Sequence, residues 1–340
     1  MSETDATAGP GPDPYTPPTA PSVPAEPPAA PLASRLTGIV LSPAATFRNL
    51  VLRPAWLGAL AIYLVALGAS ALVYSLNVDW EALMRSQFED SVGWKLASSM
   101  MPEDKLNEIE HGAIEEILST GTGGMTLLTT ANTITGGAIG YLLMGIVYGT
   151  LFYLMGAIGD IKLGRVYLDG LLCLLMTVVW VILGAILRGV FGSDAREALP
   201  WQAGLNSVFL LLFLYMLYNA VERQPAFKKL MSVYAHGMMI SAVAALLVIV
   251  VVLMQSEPIT VGADQILKSN VGAMMGMKGT GVAATFLTSL DIFTLWQLAT
   301  LSIGFAALTG FSIWMSASIT FLPWGFVTMV KLALAVLFGT

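Results

Sequence analysis

The sequence predicts an all-α fold: a polytopic helical membrane bundle of about seven transmembrane helices. Three observations predict it. Apolar residues make up 56% of the 340 positions and charged residues only 11%, whereas a soluble domain carries about 25% charged residues. The uncharged stretches 56–76, 117–159, 170–187, 198–221, 230–256 and 292–330 follow one another along the chain, and a crossing needs about 20 mostly apolar residues. Lys and Arg gather in alternate connecting segments, as topology rules require.

Residues 1–34 precede the first stretch. Positions 1–31 hold ten prolines, four acids and no Lys or Arg, a composition that cannot build a core and predicts a disordered arm. It has no basic start followed by an apolar core, so it does not read as a cleaved signal. Residues 35–53, RLTGIVLSPAATFRNLVLR, predict a short interfacial helix that starts at Pro43, with Ser42 as cap and Phe47, Leu50 and Val51 on one face. The first crossing occupies 56–76.

Segment 77–132 carries ten acids against three bases. Trp80, Met84, Phe88, Val92, Leu96 and Met100 recur every fourth residue, and Leu106, Ile109, Ala113 and Ile117 form a second stripe after Pro102. The expectation is an amphipathic helical cap outside the membrane. The Gly/Thr-rich start of the next stretch, including GTGGMT at 121–126, reads as a flexible connector and places the second crossing at 134–158. Stretches 170–187, 198–221 and 230–256 supply one crossing each, and 257–288 is a further external segment. The run 292–330 would extend about 58 Å as one helix, so it must break near Leu308–Ser312, which yields crossings at 291–309 and 314–338.

Arg35, Arg48, Arg53, Lys162, Arg165, Arg223, Lys228 and Lys229 lie in segments that share one side, while the opposite loop 188–200 holds only Arg188 and Arg196. This bias predicts a cytoplasmic amino terminus and an external carboxyl terminus. The pI of 4.9 arises mostly from the arm and the cap. No basic cluster points to nucleic acid. Cys173 is the single cysteine, so no intramolecular disulfide forms.

The chain offers little for catalysis. His111 and His236 are the only histidines; neither belongs to a metal-ligand spacing, and GTGGMT lacks the lysine of a phosphate loop. His111 reads as a surface residue among carboxylates, and His236 as a polar residue at the cytoplasmic membrane edge. No catalytic, cofactor-binding or metal-binding residue is assigned and no cofactor is expected. The interiors of the first five crossings carry no ionisable residue, which argues against an ion-coupled carrier; Lys331 is near enough to its helix end to snorkel. The expected partners are the lipid bilayer and, through the Gly136/Gly140 and Gly145/Gly149 pairs, either other helices of the bundle or a second protein chain.

The stretch 35–56 contains Ser42-Pro43, Thr46-Phe47 and Pro54-Ala55-Trp56. It resembles the entry segment of bacterial members of the Yip family, the Ypt/Rab-interacting-protein-like membrane proteins. Residues 289–310, with Asp291, Phe293 and Trp296, resemble that family's penultimate helix, and VKLALAVL its last. The resemblance spans residues 35–340 and implies a multi-pass protein of a bacterial cytoplasmic membrane without known catalysis. Its members have about five spans, two fewer than expected here. It implies no GTPase partner and no site residue. The function expected is that of a scaffold or membrane organiser; the alternative is a permease or channel subunit for a small uncharged solute.

KLGRVYLDG at 162–170 and KLMSVYAHG at 229–237 match at Lys, Leu, Val, Tyr and Gly. At the same offset Tyr148 meets Tyr215. Duplication of one hairpin, 134–189 onto 200–254, and coincidence between two similar membrane environments both explain the match. Duplication would place Tyr167 and Tyr234 alike at the interface and Gly170 and Gly237 at close helix contacts.

Deleting residues 1–31 is expected to leave the melting temperature of the detergent-solubilised protein nearly unchanged, because the arm has no apolar face to dock. A large drop would show that it is docked.

Overall fold

The computed structural model describes residues 30–90, 100–119, 121–159, 161–191, 195–262, 265–277 and 281–337. The arm 1–29 and the stripe positions Val92 and Leu96 lie outside them. Among the described residues the fold is all-α, with two isolated bridges between loop residues. The chain enters through two short helices, α1 (Leu32–Leu41) and α2 (Pro43–Leu52), and then forms the long apolar α3 (Leu57–Asn77). The cap helices are α4 (Trp80–Asp90) and α5 (Glu103–Ser119). Next come α6 (Gly121–Leu154), α7 (Leu163–Phe191), α8 (Ala195–Glu222), α9 (Pro225–Gly237) and α10 (Met239–Met254). Two short helices, α11 (Val271–Met274) and α12 (Val282–Ser289), lead into α13 (Ile292–Thr309) and α14 (Ile313–Leu337). Among the described residues six helices are long and apolar enough to cross a membrane: α3, α6, α7, the nearly continuous α9–α10, α13 and α14.

The direction of these helices bears on the span count. Val78 and Ile259 form a parallel bridge, in which Asp79 N–H donates to Ile259 O (2.8 Å) and Ile259 N–H to Asn77 O (2.9 Å). Residues just beyond α3 and α10 therefore meet, and the two helices, which pack along each other, run in the same direction. An odd number of crossings must separate parallel spans. Given that α6 and α7 cross, α8, a shorter apolar helix over Asn206–Glu222, must cross as well. Six helices among the described residues reach the length and apolarity of a span, and this direction fits α8 as a seventh.

The expected break of the last run is where the sequence places it. Asp291 caps α13, its Oδ1 accepting from Thr294 N–H at 2.8 Å. Gly310 ends α13 with φ of 73°, a left-handed turn that glycine adopts without steric cost.

Four expectations need correction. The second crossing is not 134–158: α6 begins at Gly121, so GTGGMT is its first turn and no flexible connector. That end holds its form because Thr126 and Met125 pack against the end of α3, with Thr126 Oγ1 donating to Ser75 O at 3.4 Å. At its other end α6 stops at Leu154, where Gly156 turns left-handed. In segment 35–53 the helix expected from Pro43 forms as α2, but a second helix precedes it and neither lies free at an interface. The preceding helix, α1, includes residues 32–34 assigned to the arm, and Ile39, Phe47 and Leu50 are fully buried in the bundle core. Ser42 makes no side-chain cap bond. In α5 the stripe holds at Leu106 but not at Ile109, which is 48% exposed, while Glu110 and Ile114 face inward; the side chains of Ala113 and Ile117 lie outside those described. Glu110 tolerates burial because Arg85 of α4 lies 3.8 Å away. Of the glycine pairs, Gly136/Gly140 faces open space, whereas Gly145 and Gly149 lie against Met231 and Phe227 within the bundle.

Helix contacts follow size complementarity. Gly68 of α3 receives Ile134 of α6, and Gly137 of α6 receives Leu64 and Leu67 of α3, so the two backbones approach closely. A Cβ on Gly304 would lie 2.6 Å from Val233 Cγ1 and 2.9 Å from Phe47 Cε1. Gly304→Ala is therefore expected to destabilise the bundle by about 1–3 kcal/mol through overpacking, while Gly136→Ala, which meets nothing, should not lower stability. Equal melting temperatures for the two variants in detergent would contradict this packing.

Candidate functional site

The most unusual element is α9. Pro225 sits at its first turn, where a missing N–H costs nothing. From Leu230 to Gly237 every residue is buried. Helices α2, α3, α6, α8 and α13 all pack on it.

One flank of α9 is aromatic. Tyr234 stacks on Tyr141 of α6 with ring centroids 5.4 Å apart, and Tyr148 tilts against Tyr234 at 5.7 Å. Phe305 of α13 touches Tyr148 at 5.0 Å and Phe152 at 4.8 Å. Trp56 extends the row, stacked on Tyr141 at 6.3 Å. Tyr141 OH donates to Met231 O at 2.8 Å and Tyr148 OH to Thr320 O at 3.2 Å, so these buried hydroxyls are satisfied.

The other feature is a polar series at four-residue spacing, Gln224, Lys228, Ser232 and His236, which lies along one helix face. At its outer end Lys228 Nζ pairs with Glu222 Oε2 (2.5 Å), and Trp56 Nε1–H donates to Glu222 Oε1 (3.1 Å). This ties the end of α8 and the start of α9 to the entry of α3. Inward, Ser232 Oγ donates to Lys228 O at 2.8 Å. His236 Nδ1 lies 2.8 Å from Ser232 O; a carbonyl only accepts, so Nδ1 carries the proton and Nε2 presents a lone pair. That Nε2 is buried without a partner among the described residues, as are both side-chain polar atoms of Gln224. A turn beyond, Gln297 of α13 bonds Ser241 and also donates to Met238 Sδ.

The structure separates the two halves of the sequence match. Gly170 and Gly237 both sit at close contacts, against Ile146 and Leu301. The tyrosines differ: Tyr167 is 45% exposed and shares a hydrogen bond with Thr150, whereas Tyr234 is 4% exposed within the core. Tyr148 and Tyr215 differ in the reverse sense, buried and exposed. Tyr234 is therefore no interfacial anchor, and His236 is no edge residue, because α1, α2 and α13 cover the end of α9 that apolarity alone leaves open. His111 is exposed, as expected.

The Glu222–Trp56–Lys228 linkage is not legible from local sequence, since its members are up to 172 positions apart. The polar series Gln224, Lys228, Ser232 and His236 has a regular four-residue spacing in the sequence, but its burial depends on the helices that pack on α9. Among the described residues no group of three His, Cys, Asp or Glu side chains is placed to hold a metal ion.

Tyr141→Phe, which removes a second hydrogen bond to the Met231 carbonyl, is expected to cost about 1 kcal/mol. His236→Leu removes an unsatisfied buried acceptor and should leave the melting temperature unchanged or raise it. A marked loss in the second variant would show that the imidazole is a structural strut. Compared with family models, with curated proteins and with solved structures, the chain matches none.

Proposed function

We propose that this chain is a non-enzymatic integral membrane protein of Yip type that acts as a scaffold or membrane organiser in a bacterial cytoplasmic membrane. Its amino terminus is cytoplasmic and its carboxyl terminus external. The observation that carries this reading is the closed aromatic centre: Tyr141, Tyr148, Phe152 and Phe305 fill the space between α6, α9 and α13 with fully buried rings. A bundle packed in this way offers other proteins and lipids its outer helix faces. The orientation rests on the Lys and Arg of the entry, the 160–167 loop and the α8–α9 corner. The Yip assignment rests on the Ser42-Pro43, Thr46-Phe47 and Pro54-Ala55-Trp56 elements and on the segment that begins at Asp291.

A second reading, a permease for a small uncharged solute, is favoured by one feature, the unpartnered His236 Nε2 and Gln224 side chain inside the bundle. Such groups are costly in an apolar interior and are retained where water or a solute visits them.

Reconstituted into liposomes, the protein is expected to pass no small polyol, amide or sugar above the leak of empty vesicles. Crosslinking in native membranes is expected to capture a stable protein partner. Solute flux that His236→Leu abolishes would overturn the scaffold reading in favour of the permease.

A further inference from the structure

Helices α1 and α2 enclose a cleft of about 200 Å³ lined by Ala30, Ser34, Arg35, Ala45, Thr46 and Asn49. Its donors are few and defined. Arg35 Nε donates to Ala30 O at 2.7 Å, which fixes the guanidinium against the cleft wall. Its two terminal nitrogens find no partner among the described residues, nor does the Asn49 amide. Ser34 Oγ donates to Pro31 O and Thr46 Oγ1 to Ser42 O, so their protons are already committed. The open groups are thus a cation and an amide, both donors, and they call for an acceptor-rich anion. Glu222, a carboxylate on this side of the bundle, is taken by Lys228 and Trp56. The charge of Arg35, reinforced by exposed Arg48, is not neutralised from there.

The depth of the cleft narrows the anion further. Leu32 lies against Gly58, in the first turn of α3, so Arg35, one turn along α1, is level with the start of the first crossing. That is the headgroup layer. Leu41 and Leu52, the last residues of α1 and α2, are 82% and 78% exposed and give the same region an apolar surface suited to acyl chains.

We propose that this cleft seats the phosphodiester headgroup of an anionic phospholipid. The Arg35 guanidinium pairs bidentately with the phosphate oxygens, the Asn49 amide donates a further bond, and the acyl chains lie over Leu41 and Leu52. The inference is independent of the scaffold reading, because a permease would use such a site equally well.

The test uses the full-length protein in detergent, with native mass spectrometry and thermal melting after addition of phosphatidylglycerol, phosphatidylcholine or inorganic phosphate. The wild type is expected to retain phosphatidylglycerol and to gain melting temperature from it. Arg35→Gln should weaken retention roughly tenfold, the loss of one charge-assisted pair. Asn49→Leu, which fills the cleft mouth without removing charge, should also weaken it, and this keeps the proposal testable should Arg35→Gln fold poorly. Arg48→Gln should stay within about twofold of the wild type. Equal losses at Arg35 and Arg48 would reduce the effect to diffuse charge and overturn the site. Equal stabilisation by phosphatidylcholine or by inorganic phosphate alone would overturn an anionic lipid as the occupant.

Discussion

Helix α9 offers no face to lipid from Leu230 to Gly237, so every group on it must be satisfied by the helices around it. That constraint organises the bundle. Small residues stand wherever a neighbour must come close: Gly145 under Met231, Gly304 beside Val233, and Gly237 against Leu301. Aromatic rings fill the remaining volume, and their hydroxyls reach backbone carbonyls of α9 and α14 instead of water. In hydrocarbon there is little hydrophobic drive between helices, and close packing with internal hydrogen bonds does that work. The entry helices α1 and α2 belong to the same arrangement, because without Phe47 the contact between α9 and α13 would be open at one end.

The two ends of the bundle are closed by different means. At the end that carries the amino-terminal helices, Glu222 joins Lys228 and Trp56, a pair that is partly exposed and so contributes position more than stability. At the other end a second apolar cluster, with Tyr74, Trp80, Leu83, Val252 and Ile259, welds the tips of α3 and α10 to the first cap helix. Tyr74 OH donating to Val261 O at 2.9 Å and the Val78–Ile259 bridge hold the loops after these helices together. The first cap helix is thereby an extension of the core.

Seven buried side-chain polar atoms lack a partner among the described residues, on Trp80, Thr130, Asp169, Gln224, His236 and Ser316, and those of Gln224 and His236 lie at the start and end of α9. Apolar replacements of similar volume would satisfy the same space at lower cost. The position of these groups on the most enclosed helix makes them the natural focus for any role the bundle has beyond architecture.

Sequence alone determined the all-α class, the break at Gly310 and the place of most of the long apolar helices, because these follow from local apolar length and glycine's access to left-handed backbone. Sequence did not determine which of two similar tyrosines, Tyr167 or Tyr234, is at the surface. Both follow Lys-Leu-x-x-Val at the head of an apolar run, and an apolar run presents the same composition whether its neighbour is lipid or another helix. The phase of α5 was hidden for a related reason: Glu110 turns inward only because Arg85 of another helix stands opposite. The tertiary structure decided these points, since burial inside a membrane bundle depends on what packs against a helix and not on how apolar the helix is.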